Sequence, residues 1–254
     1  MIRLRKNASD RQLIGTFFDI DSPLAMECVA LSGMDFVIAD TEHAPIGTAL
    51  SVELICRAQL HGMPVLIRTA DFSRPSVLKA LDAGADGVII PCIRSAEDAK
   101  QAVRFGKYKP VGDRGVAYTR ACDYGCDPRI PDMTGLFAVK NAETALILQC
   151  ETVGCLEQIE EIAAMEGVDG IFIGPFDLTS DLGLPGQFGH PVVRAAMKRV
   201  YDACRNAGKP VMIFSPTGED MTRRLDEGYD AVAVSTVSGM IRTGCRQYLN
   251  PRGI

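Results

Sequence analysis

The amino-acid sequence predicts an α/β protein, a single (β/α)₈ barrel, and three observations lead to this fold class. The chain has 254 residues, close to the roughly 250 residues typical of one such barrel. Its hydrophobic content of 47% against 23% charged residues is that of a globular protein with a large core. Apolar runs alternate with helical patterns eight times, which favours parallel strands closed into a barrel. We therefore expect one domain over residues 1–254.

A repeated phrase of Gly, one residue, Asp and an apolar run marks four of the eight strands. In each copy a helical pattern ends, Gly supplies a left-handed cap, Asp makes the turn, and a strand begins. The copies start at Gly33, Gly84, Gly167 and Gly228. The phrase predicts the same helix-to-strand joint at four places.

The remaining elements come from other patterns. A Gly-x-Pro phrase predicts strands after Gly62 and Gly208, and apolar runs at 13–18 and 145–150 complete the eight. The predicted helices cover 23–32, 46–61, 74–83, 95–106, 154–166, 191–207, 217–227 and 238–249, with caps at Ser22, Ser95 and Thr217. The connection 107–143 is unusually long, which predicts a functional or interaction surface.

Composition argues against several classes of partner and cofactor. A net charge of −5 disfavours nucleic-acid and anionic-membrane binding. Neither a signal peptide nor a membrane-length apolar run is evident, so we expect a cytoplasmic protein. Residues 15–20 lack the glycine-rich turn of a dinucleotide site, so no nucleotide cofactor is expected. The nine irregularly spaced cysteines favour free thiols, and those in apolar runs, such as Cys92 and Cys150, should behave as small hydrophobic residues.

Two carboxylates are predicted at the ends of neighbouring strands, where a barrel carries its active site. Glu151 follows the apolar run at 147–150, and Asp177 follows the run that begins at Gly170. Side by side without a cation they would repel each other, and one would have to hold a proton. A hard divalent metal would take oxygen ligands from both, and a salt bridge to Arg68 is the alternative. We expect the metal.

Other strand ends offer candidates for acid-base chemistry and substrate binding. Arg68 has a planar donor fork suited to a substrate carboxylate or a developing enolate, although a simple ion pair is the alternative. His43 follows Asp40 and Glu42 and could be a general base whose tautomer a carboxylate fixes, or a structural hydrogen-bonding group. No lysine lies within an apolar strand run, which argues against Schiff-base chemistry and for a metal as electron sink.

Gly174 and Pro175 leave room for a close approach of the backbone to a ligand. We expect the N–H group of Gly174 to be free to hold a carboxylate oxygen.

Five motifs in a fixed order carry a resemblance to a known family. They are Asp40-Thr-Glu-His-Ala-Pro, Pro64-Val-Leu-Ile-Arg, Gly112-Asp-Arg-Gly, Gln149-Cys-Glu-Thr and Gly170-Ile-Phe-Ile-Gly-Pro-Phe-Asp-Leu. Between Gly15 and Val237 the chain resembles the HpcH/HpaI aldolases, metal-dependent class II pyruvate aldolases such as 4-hydroxy-2-oxoheptanedioate aldolase and 2-keto-3-deoxy sugar-acid aldolases.

The resemblance implies a carbon-carbon lyase that reversibly cleaves a 4-hydroxy-2-oxo acid to pyruvate and an aldehyde through a metal-bound pyruvate enolate. It implies Mg²⁺, Mn²⁺ or Co²⁺ held by Glu151 and Asp177. It also implies a homo-oligomer of dimers, up to a hexamer, in which the C-terminal helix is exchanged between subunits.

The resemblance also implies roles for residues around the metal. Arg68 would stabilise the enolate oxygen, and His43, supported by Asp40, would take part in proton transfer. Gln149 and the backbone of Gly174 and Pro175 would place pyruvate.

One residue departs from the family pattern. Phe176 stands where these aldolases usually have a small or polar residue. If its ring faces the pocket it would narrow the aldehyde site or make it more apolar, and an ordinary packing change is the alternative. The departure keeps open an oxaloacetate decarboxylase similar to macrophomate synthase. A CoA-ester lyase on the same barrel and a non-catalytic 2-oxo-acid-binding protein are further alternatives.

Overall fold

The computed structural model describes residues 11–249, which form a closed barrel of eight parallel strands in sequence order. The predicted domain extends beyond this range at both ends, over 1–10 and 250–254. The strands are β1 (Leu13–Phe18), β2 (Phe36–Asp40), β3 (Val65–Arg68), β4 (Gly87–Ile90), β5 (Ala145–Cys150), β6 (Gly170–Ile173), β7 (Val211–Ser215) and β8 (Ala231–Thr236). The predicted (β/α)₈ barrel is therefore confirmed.

Helices surround the barrel. They are α1 (Pro23–Ala30), α2 (Thr48–Leu60), α3 (Arg74–Asp82), α4 (Ala96–Gly106), α5 (Met133–Glu143), α6 (Val153–Glu157), α7 (Ile159–Ala164), α8 (Pro175–Asp181), α9 (Pro191–Asn206), α10 (Gly218–Asp226) and α11 (Val237–Leu249). Seven of the predicted helices agree to within about two residues. The pattern at 154–166 is two helices, α6 and α7, joined at Gln158.

The predicted caps act as helix caps in the structure. The side chains of Ser22, Ser95 and Thr217 each accept a hydrogen bond from a backbone N–H in the first turn of α1, α4 and α10. Each cap satisfies one of the N–H groups that a helix leaves without an internal partner.

The four repeated joints hold the barrel together at the amino ends of its strands. Their glycines all have left-handed φ angles, between 87° and 92°. The four aspartates do more than make the turn, because each carboxylate accepts a backbone N–H of the preceding odd-numbered strand at 2.9 Å. The pairs are Asp35 with Ile14, Asp86 with Val65, Asp169 with Leu146, and Asp230 with Val211. Each aspartate thus fastens two neighbouring strands.

Side chains that alternate along the strands fill two separate cores. One set points into the barrel and includes Phe36, Leu66, Ile147 and Phe172. The other set points outward and packs against the helices. Because successive side chains of a strand point to opposite faces, the position of a residue in this alternation decides whether it faces the mouth or the helices.

The long connection between α4 and β5 covers the face of the barrel opposite the carboxyl ends of the strands. It contains a 3₁₀ helix (Arg120–Gly125) and α5, neither of which was predicted. Arg120 donates hydrogen bonds to the Ala83 carbonyl at 3.1 Å and to the side-chain oxygen of Gln59 at 2.8 Å. Arg114 is buried and pairs with Asp82 at 2.8 Å. These contacts fix the segment beneath the barrel, and an interaction role for it stays a prediction.

Helix α11 leaves the barrel with little of its surface covered. Val237, its first residue, is buried, whereas Ile241, Tyr248 and Leu249 are exposed. An apolar surface of this kind on a terminal helix is typical of a contact with another chain.

All nine cysteines are free thiols, as expected. Within residues 11–249, none of the helices has both the length and the apolar character needed to cross a membrane.

The joint at Asp169 generates a prediction about stability. Lys107 is buried, and its ammonium contacts the Asp169 carboxylate at 2.5 Å. Asp169→Ala should lower the free energy of unfolding by about 3–5 kcal/mol, because it leaves a buried cation without its carboxylate. Asp35→Ala is the matched control, since its partner Arg11 is exposed, and should cost only about 1–2 kcal/mol. Urea unfolding followed by circular dichroism measures both, and equal losses would contradict the prediction.

Candidate active site

Four of the predicted site residues continue the inward-facing series of their strands. Asp40 ends β2, Arg68 ends β3, Gln149 lies on β5, and Glu151 follows β5 directly. All four are buried, with 9% exposure at most. The barrel alternation therefore brings charged and amide groups together at its mouth.

Arg68 and Asp40 form a bidentate ion pair across adjacent strands. The guanidinium donates from Nε to Oδ1 of Asp40 at 2.9 Å and from Nη2 to Oδ2 at 2.6 Å. Its Nη1 lies 3.3 Å from Oε2 of Glu42. Burial alone would lower the pKa of Arg68, but hydrogen bonding and attraction to Asp40, with Glu42 and Glu151, outweigh it and raise the pKa. Arg68 is therefore a fixed cation, and its bidentate carboxylate partner is Asp40. The alternative considered from the sequence was a salt bridge of Arg68 to Glu151 and Asp177.

His43 lies at the mouth with its side chain 65% exposed. The contact of Asp40 with His43 is to the backbone, because Asp40 Oδ1 accepts the backbone N–H groups of Glu42 and His43 at 3.1 and 3.3 Å, and its support of the imidazole stays a prediction. The acidic group near the ring is Glu42, whose Oε2 lies 4.0 Å from Nε2 of His43. Asp40 thus shapes the loop that carries His43, and its carboxyl group is taken up by Arg68.

Glu151 is held from two sides. Its Oε1 accepts the backbone N–H of Cys92 at 2.7 Å, and its Oε2 accepts a short hydrogen bond from Nε2 of Gln149. Burial raises the pKa of Glu151; the hydrogen bonds from Cys92 and Gln149 act against this rise, while the charge of Asp177 adds to it. Burial likewise raises the pKa of Glu42, against the attraction of Arg68. Both carboxylates are costly to keep charged without a further cation.

Glu42, Cys92 and Glu151 form a group that could hold a metal ion, with ligand atoms all within 4.8 Å of one another. The Cys92 thiol donates to Oε1 of Glu42 at 3.8 Å. The expectation that Cys92 is a small hydrophobic strand residue is wrong, because it lies beyond β4 at a left-handed φ of 59°, half-buried at the mouth. Such a conformation is uncommon for a residue other than Gly, Asn or Asp.

Asp177 and Gly174 differ from expectation. Asp177 is exposed in the first turn of α8 rather than at a strand end, since β6 ends at Ile173 and Pro175 begins a helix. It lines the same cavity as Arg68 but is outside the group formed by Glu42, Cys92 and Glu151.

The N–H group of Gly174 is not free, because it donates to the Cys150 carbonyl at 3.2 Å.

Gly174 has a different reason to be glycine. A Cβ atom there would lie 2.9 Å from Oε2 of Glu151 and 3.0 Å from Nε2 of Gln149. The absence of a side chain leaves room for the Glu151–Gln149 contact, so Gly174 acts by giving space.

A cavity of about 320 Å³ opens at the mouth. Its lining residues are Phe17, Asp40, His43, Arg68, Gln149, Phe172, Gly174, Pro175, Phe176, Asp177, Phe214 and Thr236. Phe176 therefore lines the pocket, where its ring lies 5.7 Å from that of Phe214, another lining residue. A larger cavity, of about 380 Å³, lies outside the barrel between α9 and α10 and contains none of the predicted site residues.

The residues at the mouth fit a divalent cation. The carboxylates of Asp40, Glu42 and Glu151 act on the guanidinium of Arg68, and Asp177 acts on Glu151 and lines the same cavity. Among the described residues that line this cavity, Arg68 has the one guanidinium. In addition, Oε1 of Gln149 is buried without a hydrogen-bond partner, and Oε2 of Glu42 makes no hydrogen bond beside its 3.3 Å ion pair with Arg68. Buried oxygen atoms that lack hydrogen bonds and lie among several carboxylates suit a hard cation such as Mg²⁺ or Mn²⁺.

Sequence reasoning missed two groups. Cys92 lies directly beyond β4, and its place at a strand end is the signal that could have identified it, but its apolar surroundings concealed it. The aromatic side chains of Phe17 and Phe214 were missed because they looked like core. Ser215 ends β7, yet Phe214 lines the cavity, because Phe214 belongs to the inward-facing series of that strand.

Known proteins are similar to this chain over nearly its whole length. The sequence pattern of the HpcH/HpaI aldolase/citrate lyase family matches residues 13–242. A hydroxypyruvate/pyruvate aldolase of Sagittula stellata is 35% identical, and the match covers 93% of this chain and 91% of the relative's sequence. A 5-keto-4-deoxy-D-glucarate aldolase of Klebsiella pneumoniae is 31% identical, and the match covers 94% of this chain and 92% of the relative's sequence.

Solved structures agree with the sequence relatives. A family member from Burkholderia cenocepacia superimposes with a TM-score of 0.90 at 32% identity, covering 99% of this chain and 98% of its own. Macrophomate synthase superimposes with a TM-score of 0.83 at 27% identity, covering 95% and 84%. A family match over most of the chain, the related barrel and the acidic mouth lead to one conclusion: the chain belongs to the HpcH/HpaI aldolase/citrate lyase family and is a carbon-carbon lyase.

Proposed function

We propose that this chain is a divalent-metal-dependent aldolase that cleaves a 4-hydroxy-2-oxo acid to pyruvate and an aldehyde. The observation that carries the proposal is the excess of carboxylates around Glu151, which one guanidinium does not balance. Among the described residues that line the cavity there is no lysine, so a Schiff base has no candidate there. The named activities of the aldolase relatives support the same reaction.

The proposed metal would be held by Glu151 with Asp177, as the family resemblance implies, or with Glu42 and Cys92 beside it. When bound, it would polarise the keto group of the substrate and accept developing negative charge. Gln149 and the Cys92 N–H would fix the orientation of Glu151, because each donates to one of its two oxygens. Such supporting contacts determine how well a carboxylate can bind a metal.

Arg68 would stabilise the charge that develops on the substrate oxygen as the carbon-carbon bond breaks. Its bidentate pairing with Asp40 fixes the plane of the guanidinium before substrate arrives. A cation that is already oriented needs no rearrangement during the reaction. Gln149 and the backbone at Gly174 and Pro175 line the side of the cavity where the 2-oxo acid would lie.

His43 would move the proton of the substrate hydroxyl group. Its exposed ring lines the cavity and lies at the edge of the cluster, where it can exchange protons with solvent. The carboxylate of Glu42 lies near the ring, with Oε2 at 4.0 Å from Nε2. Removal of the hydroxyl proton lets the carbon-carbon bond break, and the released electron pair goes to the pyruvate fragment, which then takes a proton at its methyl carbon.

A second candidate is decarboxylation of oxaloacetate, which produces the same pyruvate enolate. The similarity to macrophomate synthase and the aromatic side chains in the cavity favour it over the CoA-ester lyase and the non-catalytic alternatives. Comparing oxaloacetate with 4-hydroxy-2-oxo acids as substrates separates the two reactions.

We also propose that the protein is a homo-oligomer in which α11 packs on a neighbouring subunit. The support is the apolar surface of this helix, to which Ile241 and Tyr248 contribute with exposures of 52% and 87%. Large apolar side chains exposed together on one helix are typical of a surface that packs against another protein chain.

Loss of the Glu151 charge should abolish the proposed activity. Glu151→Gln keeps the shape but weakens metal binding, so pyruvate release should fall by more than about 100-fold, since losing even a supporting contact to a ligand costs 10–100-fold. Calorimetric titration with Mn²⁺ should show the matching loss of affinity. Glu166→Gln changes an exposed carboxylate far from the mouth and serves as control. Full activity in Glu151→Gln, or in wild type after exhaustive chelation, would contradict the proposal.

Removal of the His43 imidazole should affect turnover without affecting stability. His43→Gln should lower kcat by about 10²–10⁴-fold, the usual contribution of a general acid or base. Thermal unfolding should be unchanged because the side chain is largely exposed. His61→Gln, on the far end of α2, is the control. A kcat within twofold of wild type would show that His43 has no part in proton transfer.

A charge on α11 should break the proposed oligomer. Ile241→Glu places a carboxylate on a surface that is exposed in the single chain, so folding should be retained while the mass measured by light scattering falls to a smaller species. Val192→Glu, at a similarly exposed position on α9, should leave the mass unchanged. A monomeric wild-type protein would overturn the proposal.

A further inference from the structure

The cavity at the mouth has a charged end and an aromatic end. Arg68, Asp40 and Gln149 lie at the charged end, and Asp177 acts on Glu151 from the same side. A 2-oxo acid carries its carboxylate and keto group on adjacent carbons, so the charged end would hold both. The rest of a longer substrate, which becomes the aldehyde, would then extend toward the aromatic end.

A continuous series of rings leads from Arg68 along the cavity to Phe176 and ends at Phe188, which lines the neighbouring cavity. The Arg68 guanidinium lies over the Phe17 ring at 4.7 Å, and Phe17 meets Phe214 at 5.8 Å. Phe214 meets Phe176 at 5.7 Å, and Phe176 meets Phe188 at 5.0 Å. Phe17 is 4% exposed whereas Phe176 is 50% exposed, so the series runs from the buried floor to the solvent.

The rings of this aromatic series support one another. The neighbouring pairs meet edge-on or tilted, with interplanar angles between 60° and 76°, an arrangement that aromatic rings prefer. Half of the Phe176 surface remains uncovered despite these contacts. An exposed ring beside a cavity gains most when an apolar ligand covers it.

The aromatic end lacks the groups that a hydroxylated or carboxylated aldehyde would need. Among the described lining residues, Arg68 is the one permanent cation, and Asp40 already engages it. The hydroxyl of Thr236 is taken up by Ser238 and by the Gly239 N–H. A second carboxylate on the aldehyde would meet aromatic rings there, and its desolvation would be uncompensated.

We propose that the aldehyde partner is apolar and preferably aromatic, recognised by Phe176 and Phe214. This inference rests on the proposed aldolase function and names the substrate class of that site. In the direction of synthesis, the methylene carbon of the pyruvate enolate forms a bond to the aldehyde carbon. The aldehyde oxygen takes a proton and becomes the 4-hydroxyl group. Cleavage is the reverse, so atoms and charges balance without any added oxidant or reductant.

The experiment compares two aldehydes with pyruvate and metal: benzaldehyde, and succinic semialdehyde as a carboxylated acceptor of similar size. Wild type should have the higher kcat/KM for benzaldehyde. Phe176→Ala should lower that value by about 2- to 12-fold, which corresponds to the 0.5–1.5 kcal/mol of an aromatic pair. The kcat/KM for succinic semialdehyde should change by less than twofold. Tyr124→Ala, an exposed ring elsewhere on the chain, should change neither.

A second experiment distinguishes a failure of the aldolase proposal from a failure of the aromatic-aldehyde proposal. It follows by NMR the exchange of the pyruvate methyl protons into deuterated water, without any aldehyde. Exchange tests enolate formation and needs no aldehyde, so it reports on the charged end of the cavity. Absence of exchange in wild type would overturn the aldolase proposal itself. Normal exchange together with a preference for succinic semialdehyde, or with equal loss for both aldehydes in Phe176→Ala, would overturn the aromatic assignment alone.

Discussion

The buried guanidinium of Arg68 among acidic groups is the constraint on which the site depends: Asp40, Glu42 and Glu151 act on it, and Asp177 acts on Glu151. Asp40 fixes the plane of Arg68, and the remaining acidic groups, with Glu151 at their centre, are left with more negative charge than the protein balances. Burial makes that imbalance expensive, since it raises the pKa of both Glu42 and Glu151. A divalent cation is the simplest group that relieves it, and this requirement connects the fold to lyase chemistry.

The barrel separates the residues that hold it together from those that would act on substrate. Four Asp side chains fasten pairs of strands at the amino ends, and the long connection before β5 is fixed beneath them. The carboxyl ends carry the strained and unpartnered groups, including Cys92 at its left-handed φ and the buried oxygen of Gln149. The contacts at the amino ends of the strands stabilise the fold, and this stability offsets the free-energy cost of the buried charges at the carboxyl ends.

Within the mouth, the two ends of the cavity differ in how far they are constrained. The charged end consists of mutually dependent contacts, so a change in Arg68, Asp40 or Glu151 would disturb the others. The aromatic end is a series of rings whose outermost members are partly exposed and independent of that network. Substrate choice can therefore vary at Phe176 without altering the groups proposed to act on pyruvate.

The sequence by itself determined the eight strands, the four joints and most helix ends, because periodicity, glycine caps and short turns act locally. It also identified Asp40, Arg68 and Glu151, since each ends or follows an apolar run, while Gln149 came from the resemblance to the aldolase family. Only the tertiary structure decided that Arg68 pairs with Asp40, that Asp177 lies in a helix, and that Glu42 and Cys92 stand beside Glu151. Those contacts join residues far apart in the chain, and closure of the barrel fixes them.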